Sequence, residues 1–192
     1  MQLHSTVERA LAGTAQVVRG VEAAEFGSPT PCDDWDVRAL INHMLQVSSA
    51  LSRAGRGEAV PADLWELDLM DTDWAGRFDD KAKAAVAGWA DPTAWEGTVS
   101  LGGAGMPAPM IATMLASDLV IHGWDLARAT GQAYRFDAEA AEMTHRFVAD
   151  MGEQGRQMGI FAAPLPVSDT APALDLALAL SGRDPKWAAP AR

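Results

Sequence analysis

Two polar side chains one helical turn apart, Asp118 and His122, stand within an otherwise apolar segment of the chain. At roughly 100° per residue, both fall in the middle of one apolar helix face. The same face carries Ile111, Leu115, Leu119, Leu126 and Ala129. A buried carboxylate needs a partner, because its desolvation without one is costly. The partner of Asp118 is therefore either a shared proton or a metal ion, and side chains four residues apart on a helix project together as two metal ligands do.

A third ligand has to come from another segment of the chain. His43, one of only 4 histidines, lies at the edge of the apolar stripe of an earlier helix. Helical bundles commonly build metal sites from facing helices. Together, His43, Asp118 and His122 would supply two imidazoles and a carboxylate, leaving coordination positions for water or a substrate atom. Zn(II) suits this set best, and Ni, Fe, Mn and Co also accept it. The alternative is a hydrogen-bonded Asp118–His122 couple without a metal.

Three further residues are candidates for the surroundings of this group. Asp125 follows His122 by three residues on the same side of the helix, where its carboxylate would orient the imidazole or a nearby backbone group. Trp35 and Trp124 flank the proposed ligands in sequence and are candidates for lining a pocket. Cys32 is interpreted as a structural or bystander residue and not a nucleophile, because no histidine is near it in sequence and the acidic residues that follow would raise the pKa of its thiol. No residue is assigned a catalytic role.

Helical periodicity and its punctuation predict the elements that position these residues. The expected elements are a helix over about 3–21, a second beginning after Asp36, a third over 71–89, a short hairpin or ordered loop near 95–105, a fourth from Pro107 or Pro109 to about Thr130, one beginning after Asp137, and a short one between Pro172 and Leu180. We therefore predict an all-α four-helix bundle with a hairpin or loop insertion and an irregular C-terminal tail. The 192 residues are expected to form one domain, 1–192.

The composition restricts the function classes. The chain carries 26 acidic against 15 basic side chains, a formal charge of −11, which disfavours nucleic acid and anionic membranes as partners. Its single cysteine excludes an internal disulfide and any metal site built on several cysteines. The N-terminus lacks a signal-peptide pattern, and no apolar stretch is long enough to cross a bilayer. The sequence therefore predicts a cytoplasmic protein, and its acidic surface is compatible with either a monomer or a homodimer.

Three segments resemble one known family. Residues 30–43 read TPCDDWDVRALINH, residues 118–131 read DLVIHGWDLARATG, and residues 181–187 read SGRDPKW. The first two resemble motifs of the mycothiol-dependent maleylpyruvate isomerase-like, DinB-related family. The third is similar to the tail of an actinobacterial subfamily of metal-binding proteins within it. The resemblance extends over nearly the whole chain.

This resemblance implies a DinB-like four-helix bundle with a divalent metal held by His43, Asp118 and His122. Related enzymes use the metal to activate a low-molecular-weight thiol such as mycothiol, and a coordinated thiol is deprotonated at neutral pH. The expected function is a mycothiol-dependent transferase or isomerase acting on a small electrophile. Two alternatives stay open: a non-catalytic metal- or ligand-binding protein, and a metal-dependent hydrolase that uses no thiol. The isomerase itself usually has glutamate where this chain has Asp118, and carries a second, C-terminal domain.

Overall fold

A computed structural model describes residues 2–33 and 35–190 of the chain. Six α-helices carry most of it, together with one antiparallel pair of strands. They are α1 (Gln2–Arg19), α2 (Val37–Gly55), α3 (Trp74–Trp89), β1 (Thr98–Leu101), β2 (Ala104–Pro107), α4 (Ala108–Ala129), α5 (Ala138–Gln157) and α6 (Ala173–Leu180). Short 3₁₀ turns occur at Ala23–Glu25, Ala62–Glu66 and Pro92–Trp95. None of the helices in the described ranges combines the length and apolarity that a membrane span requires.

The first four helices form the bundle. α1 and α2 each pack against both α3 and α4, so the order around the bundle is α1–α3–α2–α4. α5 packs on the outside of α4 and also contacts α1, and α6 packs on α5. The all-α four-helix bundle predicted from the sequence is confirmed, with α5 and α6 as an additional layer on one side.

Capping residues set the starts of the helices close to where the sequence places them. The side chain of Asp36 accepts a hydrogen bond from Ala39 N at 2.8 Å at the start of α2, and Asp137 does the same for α5 through Ala140 N at 3.1 Å. Such caps satisfy backbone donors that a helix start otherwise leaves unpaired. The third helix begins later than expected, at Trp74 and not near Asp71, because Asp71 instead accepts a hydrogen bond from Asp73 N in a turn.

The strand pair is the predicted hairpin. Thr98 pairs with Pro107 and Leu101 with Ala104, so only Gly102 and Gly103 form the turn. Both glycines have positive φ, 65° and 116°, which a two-residue hairpin turn favours and other residues rarely adopt. Val60 extends this small sheet by donating to Ser100 O at 2.9 Å, so the hairpin lies against the loop that follows α2.

α4 is buried on nearly all sides, and apolar side chains occupy two of its faces. Leu119 and Leu126 on the first face pack in the bundle core with α1 and α2. Val120, Ile121 and Trp124 pack on the opposite side in a second cluster with α5 and α6. α4 lies between the bundle and the added layer, so α5 and α6 cover the apolar side chains that the four-helix bundle alone would leave exposed.

Candidate metal centre

The packing of α2 against α4 brings together the three residues that the sequence proposes as ligands. His43 comes from α2, and Asp118 and His122 come from successive turns of α4. One side-chain ligand atom from each of the three lies within 4.8 Å of the others. His122 is buried, whereas His43 and Asp118 are partly exposed, with 19% and 30% of their side chains accessible. The group therefore sits where the buried seam between two helices opens to the surface.

The hydrogen bonds of His122 define what its second nitrogen can do. Its Nδ1 lies 2.9 Å from Asp125 Oδ2, and a carboxylate requires Nδ1–H as the donor. In the neutral imidazole, Nε2 then carries a lone pair, and this atom lies 3.6 Å from Asp118 Oδ1. Two acceptors facing each other need a cation between them, either a proton on Nε2 or a metal ion.

His43 completes this arrangement from the other helix. Its Nε2 lies 3.2 Å from Asp118 Oδ2, the oxygen that does not face His122. Asp118 is thus shared by the two imidazoles, one at each oxygen. Two imidazole nitrogens and a carboxylate are the donors that Zn(II) and related divalent ions use in catalytic sites, with positions left for a further ligand. The donor set fits a divalent cation.

The local charges agree with that fit. Arg183, from the C-terminal tail, donates through Nε to Asp125 Oδ1 at 2.8 Å and Oδ2 at 3.0 Å. Burial lowers the pKa of its guanidinium, but Asp125 outweighs that effect and raises the pKa above its ordinary value. Arg183 therefore offsets the charge of Asp125. The charge of Asp118 is left over when both imidazoles are neutral, and a bound cation would compensate it.

Trp35 covers the two imidazoles from the loop before α2. Its ring centroid lies 4.5 Å from that of His43 and 5.4 Å from that of His122. Thr30 shapes this loop: its hydroxyl donates to Trp35 O at 2.8 Å and accepts from Cys32 N at 3.1 Å. The motif around Thr30 is therefore a local fold that delivers an indole to the site. Asp34, which belongs to the same motif, lies outside the described residues.

A cleft of about 560 Å³ opens beside His43 and reaches the protein surface. Its walls are Trp35, Arg38, Ala39, Asn42, His43, Gln46 and the segment Trp65–Asp68. Two amides on α2 hold that segment in place: Asn42 Nδ2 and Gln46 Nε2 donate to Leu67 O at 3.1 Å and 2.8 Å. The volume lies within the range of roughly 300–1,000 Å³ that is typical of pockets for small organic ligands.

Trp124, proposed from the sequence as a pocket residue, lies elsewhere. It extends from α4 towards α5 and α6 and packs against them, and the Arg128 guanidinium lies 5.9 Å from its ring centroid. Two residues along a helix correspond to a rotation of about 200°, so Trp124 points away from the side on which His122 faces Asp118. Nearness in sequence to a ligand does not place a helical residue in its pocket.

Two residues near the site, Trp65 and Arg183, were not singled out as site residues in the sequence, and a third, Cys32, lies close to it. Trp65 lies 6.2 Å from His43 between ring centroids, and Arg183 reaches Asp125 from the tail. Cys32, interpreted as structural, has its thiol within 4.8 Å of ligand atoms of His122 and Asp125. No sequence pattern indicated Trp65, whose segment Asn42 and Gln46 hold beside His43 through hydrogen bonds to its backbone. Arg183 and Cys32 reach the site through long-range folding, which helical periodicity does not report.

The charge of Asp118 makes a prediction for the metal-free protein at acid pH. Burial raises the pKa of this carboxyl, but His122 and His43 more than offset it and lower the pKa from 3.8 to about 2. A depressed native pKa stabilises the fold above the unfolded pKa, and this contribution is lost as the pH falls through the native pKa. We therefore expect Asp118→Asn to be less stable than the parent between about pH 4 and about pH 6, where ordinary imidazoles carry the charge that lowers this pKa, with the gap closing towards about pH 2. Urea unfolding of both metal-free proteins across this range measures the gap; a difference independent of pH would contradict the prediction.

Comparison with known proteins places the chain in a family. Residues 7–127 match the mycothiol maleylpyruvate isomerase N-terminal domain, a span that runs from α1 almost to the end of α4 and includes all three candidate ligands. The chain belongs to this family. The family resemblance seen in the sequence motifs is confirmed. Arg183 lies beyond the matched residues.

Two kinds of relatives accompany the match. An uncharacterized protein of Mycobacterium tuberculosis, MT0763 in strain CDC 1551 and Rv0738 in strain H37Rv, is 30% identical over 178 residues, which covers 92% of this chain and 94% of the relative. The crystal structure of a mycothiol-dependent maleylpyruvate isomerase has a TM-score of 0.56 at 18% identity, covering 80% of this chain and 71% of that one. A histidine-to-alanine variant of such an isomerase gives a TM-score of 0.55. These structures share the fold of the maleylpyruvate isomerase family with this chain.

Proposed function

We propose that this family member holds a divalent metal ion through His43, Asp118 and His122. We also propose that it uses a low-molecular-weight thiol, mycothiol, and acts either as a transferase that joins the thiol to a small electrophilic substrate or as an isomerase of such a substrate. The observation that carries the proposal is the His122 Nε2 lone pair, which faces Asp118 Oδ1 at 3.6 Å while His43 Nε2 lies 3.2 Å from Oδ2. Family membership supports the thiol, since the matched domain is that of a mycothiol-dependent isomerase. Zn(II) is the proposed metal, with Ni, Fe, Mn and Co as the other candidates.

Each residue has a distinct part in this proposal. His43 and His122 offer ring nitrogens to the cation and Asp118 offers its carboxylate, while Asp125 holds His122 by its Nδ1–H. A divalent cation bound there would lower the pKa of a coordinated thiol, so that the nucleophilic thiolate is present at neutral pH. Trp35 covers both imidazoles and keeps bulk water off one side of them.

The cleft beside His43 is the proposed binding place for the organic part of the substrate or thiol. The Trp35 and Trp65 indoles offer apolar walls there, and Arg38 lies at the rim, paired with Asp68 at 2.8 Å. An apolar pocket with a few polar groups is the usual form of a site for small ligands. We propose that residues 1–192 work as one domain, because α5 packs on α4 and α1, and side chains of α4 bind the tail at Arg183 and Trp187. We also propose that the protein works in the cytoplasm, as a monomer or homodimer.

The proposal is tested by offering small electrophiles to the zinc-loaded protein with and without mycothiol, and following both substrate conversion and the free thiol concentration. A transferase consumes thiol in step with product, whereas an isomerase requires thiol and leaves its concentration unchanged. Either result, lost when the metal is removed, supports the proposal. Conversion without thiol indicates the hydrolase, and binding without conversion indicates a non-catalytic protein; both results contradict it.

A further inference from the structure

The C-terminal tail returns to α4 at two points. After α6, Gly182 with φ 90° turns the chain, and Arg183 N donates to Leu178 O at 2.8 Å. This turn directs the Arg183 side chain at Asp125. Four residues later, the carbonyl of Trp187 accepts a hydrogen bond from Arg128 Nε at 2.8 Å. The tail is therefore held on the same helix that carries two of the three candidate ligands.

Arg183 is buried against one particular carboxylate. Its side chain is 10% exposed and that of Asp125 is not exposed at all. Its Nε lies within hydrogen-bond distance of both Asp125 oxygens, 2.8 and 3.0 Å away, and its Nη1 donates to Ser181 Oγ at 3.3 Å. A buried guanidinium is stable only where its donors and its charge are matched. The contact is a specific pairing and not a loose surface ion pair.

Asp125 passes this constraint to His122. Among the described residues, its carboxylate accepts side-chain hydrogen bonds from Arg183 on one side and from His122 Nδ1, 2.9 Å away, on the other. A histidine ligand needs this kind of support, because the hydrogen bond at one ring nitrogen decides where the lone pair of the other nitrogen points. We propose that Arg183 is a positioning residue: it fixes the carboxylate plane of Asp125 and thereby holds His122 with Nε2 directed at Asp118 and His43.

The hydrogen bond to His122 does not by itself fix the orientation of the Asp125 carboxylate. A carboxylate held by a single imidazole can rotate about its side-chain bonds, and the ring it supports then turns with it. Arg183 removes this freedom because its Nε lies within hydrogen-bond distance of both carboxylate oxygens. Lysine in its place would keep the charge but not the guanidinium geometry, since an ammonium acts as a point charge. The role of the tail at the site is therefore geometric as well as electrostatic.

The inference rests on the metal site of the proposed function, and two measurements distinguish a failure of the inference from a failure of the metal site. The first is zinc affinity by competition with a chromophoric chelator, for the parent, Arg183→Gln and Arg183→Lys. We expect the Gln variant to bind zinc about 10- to 100-fold more weakly, the loss typical when an outer partner of a ligand histidine is removed. The Lys variant should recover part of this loss. Arg128→Gln, which removes the other attachment of the tail, is the matched control and should bind zinc like the parent.

The second readout needs no metal. The ¹⁵N shifts of the His122 ring in the metal-free protein, at a pH where the ring is neutral, report which nitrogen carries the proton. The parent should show Nδ1–H alone, and the Gln variant a mixture of both forms. Unchanged zinc affinity together with an unchanged His122 pattern in the Arg183 variants overturns the inference. If the parent binds no zinc while its Arg183 variants alter the His122 pattern, the metal proposal fails and the positioning role stands. The Lys variant retains the buried charge and carries the test if the Gln variant does not fold.

Discussion

Replacing His122 by alanine is expected to remove the metal from the protein. His122 is 6% exposed and is the ligand whose orientation the surrounding side chains fix most completely. Changes in outer partners of a metal ligand already weaken binding by about 10- to 100-fold, so loss of the ligand itself should weaken it by more than about 100-fold. Elemental analysis of protein purified without a metal-affinity step measures this. The parent should contain about one equivalent of a transition metal, and His122→Ala should contain almost none, because the remaining carboxylate and imidazole form an incomplete set.

A matched control and a clear contrary outcome accompany this experiment. His145→Ala removes a half-buried histidine on α5 that is not one of the candidate ligands, and it should retain the metal of the parent. Full occupancy in His122→Ala would refute the assignment of this residue. No metal in the parent, even after reconstitution with zinc, nickel, iron and manganese, would mean that a proton on His122 compensates Asp118, and the centre would be a hydrogen-bonded cluster.

The core of the candidate site could be predicted because its spacing is local. Asp118 and His122 are one helical turn apart in an apolar segment, and that alone indicates a buried polar pair that needs a partner. His43 required a second argument, the packing of facing helices, and the motif that includes it. The structure brings all three ligand atoms within 4.8 Å of each other. Local periodicity is sufficient for such a pair because the helix geometry is the same whatever packs around it.

The outer part of the site could not be predicted because it depends on contacts between distant segments. Arg183 meets Asp125 across 58 positions of sequence, and Gln46 Nε2 donates to Trp65 O across 19 positions. Neither contact produces a periodic pattern in the sequence. Trp124 points away from the ligands for a local reason, because it lies two residues from His122 on α4, and it packs instead against the added layer of α5 and α6.

The second large effect is expected in the packing that holds α2. Trp89, the last residue of α3, is fully buried, and its Nε1 donates to Leu51 O at 2.9 Å. Gly55 permits this approach, because a Cβ there would lie 2.8 Å from Trp89 Cδ1. The ring also packs on Trp95, with centroids 4.6 Å apart. We expect Trp89→Ala to lower the free energy of unfolding by about 3–5 kcal/mol, since it leaves a large cavity between two helices.

For a chain of this length, a loss of that size corresponds to a fall in the melting temperature of about 6–20 °C, at about 2–4 °C per kcal/mol. Urea unfolding and thermal unfolding of the metal-free protein measure both quantities. Met158→Ala is the control: its side chain belongs to a residue that is 65% exposed, and the change should stay within about 0.5 kcal/mol. A Trp89→Ala protein as stable as the parent would mean that α3 shifts to fill the cavity, and that Trp89 does not set the distance between α3 and α2.

The Trp89→Ala and His122→Ala variants also distinguish a loss of fold stability from a loss of the metal site. Trp89 contacts α2 at Leu51 and Gly55, two or more helical turns beyond His43, and lies on the side of α2 that packs on α3. Well below its lowered melting temperature, Trp89→Ala should therefore still bind about one equivalent of metal, whereas His122→Ala should bind almost none at any temperature. If Trp89→Ala also loses the metal while remaining folded, the α2–α3 contact determines where His43 stands. The geometry of the centre would then depend on the whole bundle and not on α4 and its outer partners alone.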